Sequence, residues 1–312
     1  MKKGKLLISG ILTVLLVTVL LSNIDFSEFK SVFSNLSYYV VFIGFLLYTL
    51  IYVFRSFRLG YVLEKKFKFK ELFRVISLHN LFSQVLPFRS GELSLVYLLK
   101  KKGVDSSKSI SSLIFLRIFD FLSIFFLLIF SLLFAKSAYF LLVGNFFWLF
   151  LLSFFIFSLF VVFLFKPAKF FGGIINLILF FKLNKYKFFC KGLSYLEKVS
   201  DSFSSQKRNL FFVFLLSLLV WISSFVFTYY ILNGLGLEIS YSYFIFAMSL
   251  ILIFSSLPIH GILNFGTQET FWTVVFLAIG VDKIMAISSG FIVHGLVVIY
   301  FLFWGIASYF IK

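Results

Sequence analysis

From Tyr139 to Phe165 the chain carries no charged side chain, and the same holds from Asn209 to Leu232. Helices of that length cover the roughly 30 Å hydrocarbon core of a bilayer. A segment apolar on every face needs either a very large protein core or lipid around it. With 61% hydrophobic and 13% charged residues in 312, the chain holds more apolar side chain than it could hide from water. The expected fold class is therefore an all-α polytopic membrane protein, a single integral membrane domain over 1–312.

The run Leu6–Leu21 follows Lys2, Lys3 and Lys5, and no small-x-small cleavage site comes after it, so it is expected to be a retained first helix. The single cysteine, Cys190, excludes an intramolecular disulfide and a cysteine-cluster metal site. The net charge of +17 raises the question of nucleic acid. Most of the lysines, however, sit in loops between apolar runs, where they report topology and meet anionic headgroups, so no nucleic-acid partner is expected.

Those loops set the expected topology. A second span runs from about Ser37 to Phe54, after a short loop with Asp25, Glu28 and Lys30. A basic loop from Arg55 to Arg74 follows and is placed in the cytoplasm, together with the N-terminus. The stretch 75–99 is broken by Pro87 and Gly91 and flanked by basic residues on both sides. It is expected to be a re-entrant hairpin entering from the cytoplasm, since a single crossing would put Lys100, Lys101 and Lys102 outside. Ile110–Phe134 and Tyr139–Phe165 are spans joined by an external turn at Lys136. The segment 166–208 carries nine basic residues and is expected to be cytoplasmic, with an amphipathic helix over 170–181 on the inner leaflet. Asn209–Leu232 crosses outward. The stretch 241–281, broken by Pro258, Gly261 and Gly266, reads as a second hairpin, from the outside, and Ile284–Ile311 returns inward to a cytoplasmic C-terminus. Of the 29 Lys and Arg, Lys30, Lys136 and Lys283 then fall outside, Arg89 and Arg117 in the membrane, and 24 inside. About six full spans and two oppositely oriented hairpins at corresponding places in the two halves point to an inverted repeat with a site at the midplane.

Five ionisable residues are left at membrane depth: Arg89, Glu92, Arg117, Asp120 and Glu269. Charge there is costly and is kept for a purpose. Arg89 and Glu92 are three residues apart, as are Arg117 and Asp120, so on a helix each pair shares a face. Two readings follow. Either the pairs are structural ion pairs that pin the first hairpin, or the arginines bind a lipid phosphate while the carboxylates hold them or carry a proton. Glu269 has no basic neighbour in its own segment, so it either carries a proton or pairs with Arg89 or Arg117 across the bundle. Asn80, Gln84, His260, Asn264 and Gln268 lie beside the breaks, where they can satisfy freed backbone groups or meet a ligand. His79 and His294 on apolar helices read as packing or interhelical hydrogen bonds. No glycine-rich nucleotide loop, metal-spaced histidine and carboxylate cluster, or nucleophile elbow occurs, and no metal or cofactor is expected.

The order LPFRSGE (Leu86–Glu92), Arg117 with Asp120, and LPIHGILNFGTQE (Leu257–Glu269), with Asn80 upstream, resembles the transmembrane region of lysylphosphatidylglycerol synthases and related flippase-like membrane proteins. The residues that carry the resemblance are Asn80, Pro87, Arg89, Gly91, Glu92, Arg117, Asp120, Pro258, Gly261, Gly266 and Glu269, and it extends from about Arg55 to the C-terminus. This chain departs from the pattern at Leu116, where an acid is often found, and at Ser94–Tyr97, where a basic residue is often found. The resemblance implies a lipid-translocating region without the soluble aminoacyl-transferase domain.

The expected function is that of a lipid flippase in the cell membrane. Its cargo would be an anionic, aminoacylated or polyprenyl-phosphate lipid, with Arg89 and Arg117 on the phosphate and Glu92, Asp120 and Glu269 as counter-charges or proton carriers. Two rivals stand beside it: a membrane-embedded glycosyl- or aminoacyl-transferase with a lipid substrate, and a scaffold for a lipid-modifying enzyme.

Overall fold

The computed structural model describes residues 3–23, 25–64, 67–86, 90–134, 146–166, 209–256 and 261–311, with isolated positions between 169 and 203. The helices of those segments are α1 (Lys3–Leu21), α2 (Phe26–Ser34), α3 (Tyr38–Leu63), α4 (Phe69–Val85), α5 (Ser94–Lys101), α6 (Ser106–Phe134), α7 (Phe146–Phe165), α8 (Leu210–Gly234), α9 (Tyr241–Phe254), α10 (Thr267–Ala278) and α11 (Lys283–Ala307). Short 3-10 turns at Ser90–Leu93 and Ile262–Asn264 precede α5 and α10. Among the described residues, α3, α6, α8 and α11 are long and apolar enough to cross a membrane. The bent pair α1 and α2, at 88°, would make a fifth crossing.

Several of these starts are written in the local sequence. Ser37 accepts the Val40 N–H at 3.3 Å to open α3, and Asn209 accepts that of Phe212 at 3.2 Å to open α8. Asp282 accepts the Ile284 N–H at 2.9 Å at the head of α11. The expected loop with Asp25, Glu28 and Lys30 is instead the helix α2, because Glu28 reaches back to the Asp25 N–H at 3.3 Å and fixes a first turn.

A second correction concerns α3. It runs on to Leu63 rather than ending near Phe54, a length of about 39 Å at 1.5 Å per residue. Arg55 and Arg58 therefore belong to a helix and not to a cytoplasmic loop. The connection to α4 shrinks to a few residues, and α4 begins at Phe69, earlier than the expected hairpin boundary. The external turn at Lys136 and most of the expected amphipathic helix over 170–181 lie outside the described residues, as do Pro87, Arg89, Pro258 and His260.

The first broken stretch doubles back on itself. Gly91 sits against Phe82, His79 Nδ1 lies 2.9 Å from Ser94 Oγ, and Lys102 Nζ lies 2.6 Å from Glu71 Oε1. Those three levels make α4 and α5 an antiparallel hairpin with both chain ends at one side. A methyl group at Gly91 would run into the Phe82 carbonyl, so only glycine lets the two arms close this tightly. In the second stretch, α9 packs on α10 and the Phe254 and Phe271 rings stack at 5.8 Å.

Around the hairpins the long helices form the bundle. The α3 and α8 helices pack antiparallel: Tyr61 meets Phe212, Arg58 meets Ser217, and Tyr48 meets Phe227. Lipid supplies no hydrophobic force between helices, so small side chains and interhelical hydrogen bonds must hold them, and buried serines such as Ser56, Ser111, Ser123 and Ser217 line the interfaces. The α4 arm packs on α11 and the α9 arm on α6, while α5 lies on α6 and α10 on α11. The α2 helix rests on α11, and α7 on α6. At one end of the bundle Asn35 Nδ2 donates to Leu235 O at 3.5 Å and Lys283 Nζ to Asn23 Oδ1 at 2.8 Å.

Candidate functional site

Between the two hairpins lies a cavity of about 260 Å³. Its wall takes Tyr48, Tyr52 and Arg55 from α3, Asn80 and Gln84 from α4, and Glu92 from the turn after the first break. Arg117 and Asp120 come from α6, Trp221 and Ser224 from α8, and Asn264 and Gln268 from the second hairpin. Both breaks thus face one space, and the Asn264 amide donates to Gln84 Oε1 to tie them together.

Three charged groups of this wall, Glu92, Arg117 and Asp120, form one network with Arg58 behind it. Arg117 binds Glu92 through Nη2 and, at 3.0 Å, through Nε, and its Nη1 reaches Asp120 Oδ2 at 3.3 Å. The other Asp120 oxygen accepts from Arg58 Nη1 at 2.6 Å and from Trp221 Nε1 at 3.1 Å. Arg58 Nη1 also donates to Ser217 Oγ at 2.9 Å. Five bonds therefore join the first hairpin, α6, α3 and α8 through two carboxylates. Arg58 is 4% exposed and its Nε has no hydrogen-bond partner, so the ion pair with Asp120 is what makes a buried guanidinium tolerable there. The expected Arg117–Asp120 pair within one helix is present, but each partner is shared with a different element.

Arg55 is placed differently. Its Nη1 donates to Asn80 Oδ1 at 3.3 Å and its guanidinium lies 5.9 Å from the Trp221 ring centroid. Asn80 is itself aimed by Tyr52, whose hydroxyl accepts from its amide at 2.5 Å. Both neighbours of Arg55 are neutral, and among the described residues it forms no ion pair.

Among the described residues Glu269 contacts His294 and not Arg117. His294 Nδ1 lies 2.5 Å from Glu269 Oε1, and the Gly266 N–H donates to Oε2 at 2.8 Å. Both side chains are buried, behind the wall formed by Gln268, Trp272 and Val293. Gly266 has φ +81, which a side chain would strain, and it opens α10 with Glu269 as the acceptor for its N–H. Glu269 therefore binds the second break to α11. Among the described residues no three His, Cys, Asp or Glu side chains gather as a metal site.

Arg55, Arg58, Tyr48, Tyr52 and Trp221 were not singled out from the sequence. A signal was present, since Tyr48, Tyr52 and Arg55 stand at i, i+4 and i+7 and share one helix face. Trp221 offered none, in a segment apolar on all sides.

A multi-pass bundle of apolar helices with a charged cavity lined by two helical hairpins defines a membrane protein of the flippase-like class. The chain belongs to the lysylphosphatidylglycerol synthase transmembrane-region family, whose model matches residues 5–305. No curated protein matches it.

Proposed function

We propose that this protein is a lipid translocase that passes a phosphate-bearing headgroup through the cavity between its hairpins while the acyl chains stay in the bilayer. The observation that carries the reading is a charged cavity lined at once by Glu92 of the first hairpin and by Asn264 and Gln268 of the second. A volume of about 260 Å³ falls below the roughly 300–1,000 Å³ typical of pockets that enclose a whole small molecule. It admits a headgroup and leaves tails outside.

The topology proposed with it has six spans, 1–312 as one membrane domain, cytoplasmic termini in the cell membrane, and hairpins from opposite faces. The mouth of the first hairpin holds Lys70, Lys100, Lys101 and Lys102, and that of the second is flanked by Glu238 and Asp282, which supports opposite sides for the two. The contacts Asn35–Leu235 and Asn23–Lys283 join segments placed outside. An inverted repeat is supported by the packing. Exchanging α2 to α6 for α7 to α11 in order turns the α4–α11 contact into α9–α6, α5–α6 into α10–α11, and α2–α11 into α7–α6, and leaves α3–α8 unchanged. In this reading Glu92, Asp120 and Glu269 serve as counter-charges or proton carriers, and Arg117, with Arg89 beside the first break, contacts the phosphate.

Purified protein in liposomes tests the reading. Leaflet exchange of fluorescent phosphatidylglycerol, lysyl-phosphatidylglycerol or a polyprenyl phosphate above that of empty liposomes is the expected result, lost in Arg89→Ala. Folded protein that moves none of them would turn the assignment to a transferase or a scaffold.

A further inference from the structure

The charges around the cavity do not balance, and the imbalance has an address. Among the described residues, two arginines (Arg55 and Arg117) and two carboxylates (Glu92 and Asp120) line it, and a third arginine, Arg58, lies behind Asp120. Arg58 is engaged by Asp120, and Arg117 by Glu92 and Asp120. A guanidinium has five N–H donors, and Arg55 gives one to Asn80 while its Cζ lies over the Trp221 ring. Its remaining donors are not buried against protein, since none of its atoms is among the buried unpaired ones. They face the cavity that the residue lines.

Resting on the translocase reading, we infer that Arg55 is a further phosphate ligand of this cavity, beside the arginines named in that reading, and that the cargo is a phosphodiester lipid whose headgroup is uncharged and bears hydroxyl groups. One free cation matches one negative charge. A phosphomonoester would bring about two, as phosphate monoesters ionise twice near neutral pH. The rest of the wall points to a neutral headgroup. Both carboxylates that line it are held by arginines, and Glu269 lies behind it, held by His294. A headgroup carrying ammonium groups would meet the guanidinium groups of Arg55 and Arg117 and, among the described residues, only carboxylates already held by arginines. Uncharged donors and acceptors do remain. The Gln268 carboxamide and the Ser224 hydroxyl line the cavity and make no side-chain hydrogen bond to the described protein, as suits the hydroxyls of a polyol. The cation–π contact with Trp221 and the bond to Asn80 hold the guanidinium in place before a ligand arrives.

The test uses the full chain in two assays, leaflet exchange in liposomes and retention of labelled lipid by purified protein in detergent. Each is run with phosphatidylglycerol, lysyl-phosphatidylglycerol and a polyprenyl monophosphate, on wild type, Arg55→Gln and Arg55→Lys. The expected result is preference for phosphatidylglycerol in both assays. Its retention should fall about tenfold or more in Arg55→Gln, the loss of one charge-assisted bond, with a smaller fall in Arg55→Lys. Equal unfolding midpoints show that the variants fold. Retention of phosphatidylglycerol equal in wild type and Arg55→Gln overturns the role of Arg55. Preference for the lysyl or monophosphate lipid overturns the cargo class. Arg55-dependent retention without any leaflet exchange leaves the ligand assignment standing and removes the translocase reading instead.

Discussion

His294 Nδ1 and Glu269 Oε1 lie 2.5 Å apart in the interior of the bundle, joining the last long helix to the second hairpin across 25 residues of sequence. Through its other oxygen Glu269 holds the Gly266 N–H, so one carboxyl fixes both the partner helix and the break itself.

That geometry separates two substitutions. Glu269→Gln keeps an oxygen for the Gly266 N–H and a polar group beside His294, so its unfolding midpoint in detergent should fall modestly. Glu269→Ala removes both bonds and leaves His294 without a partner at Nδ1. It should cost about 3–5 kcal/mol, the usual loss on breaking a buried pair. Similar midpoints for the two variants would show that the carboxyl does not hold the break.

Arg58 and Arg55 lie one turn apart on α3 and should behave in opposite ways. Arg58→Ala takes the 2.6 Å bond from Asp120, which keeps Arg117 and Trp221, and should destabilise the fold by about 1.5–3 kcal/mol, the range for a hydrogen bond to a charged group. Arg55→Gln breaks no ion pair and should leave the midpoint close to wild type. Chemical unfolding of both variants reads the difference directly.

Gly91 and Gly295 form a second contrast. A side chain at Gly91 collides with the Phe82 carbonyl, so Gly91→Ala should force the hairpin arms apart and reduce both folded yield and lipid movement. Gly295 has open space where a Cβ would go, within α11. Gly295→Ala should be neutral or stabilising by up to about 1 kcal/mol through helix propensity.

The Glu92–Arg117 pair is best examined by a double-mutant cycle. Either single alanine variant leaves a charged partner short of its counter-ion, and the double variant removes both. The double loss should fall short of the summed single losses by about 0.5–3 kcal/mol, the range for residues in direct contact. Strict additivity would mean that the contact fastening the first hairpin to α6 contributes nothing to stability.

The long helices were legible because lipid demands so much of them: apolar runs marked α6, α8 and α11 to within a few residues at most ends. The breaks were legible through Gly91, Gly261 and Gly266, which interrupt two other apolar stretches. What could not be read was how far α3 continues. Counting basic residues treats a helix-end arginine like a loop lysine, so Arg55 and Arg58 were assigned to the cytoplasm, although tertiary contacts with Asp120 and Asn80 draw them inward. The partner of Glu269 was hidden for a related reason. His294 sits on another helix, and no local spacing links the two. Conversely the spacing of Arg117 and Asp120 suggested a closed pair, while the structure spreads their bonds over Glu92, Arg58 and Trp221.

The most direct measurement is leaflet exchange of fluorescent phosphatidylglycerol in liposomes holding the purified protein, beside liposomes holding Arg55→Gln at the same folded amount. The account predicts exchange well above that of protein-free liposomes, reduced about tenfold or more by the substitution. Exchange no faster than in protein-free liposomes, from wild-type protein shown to be folded, would contradict it.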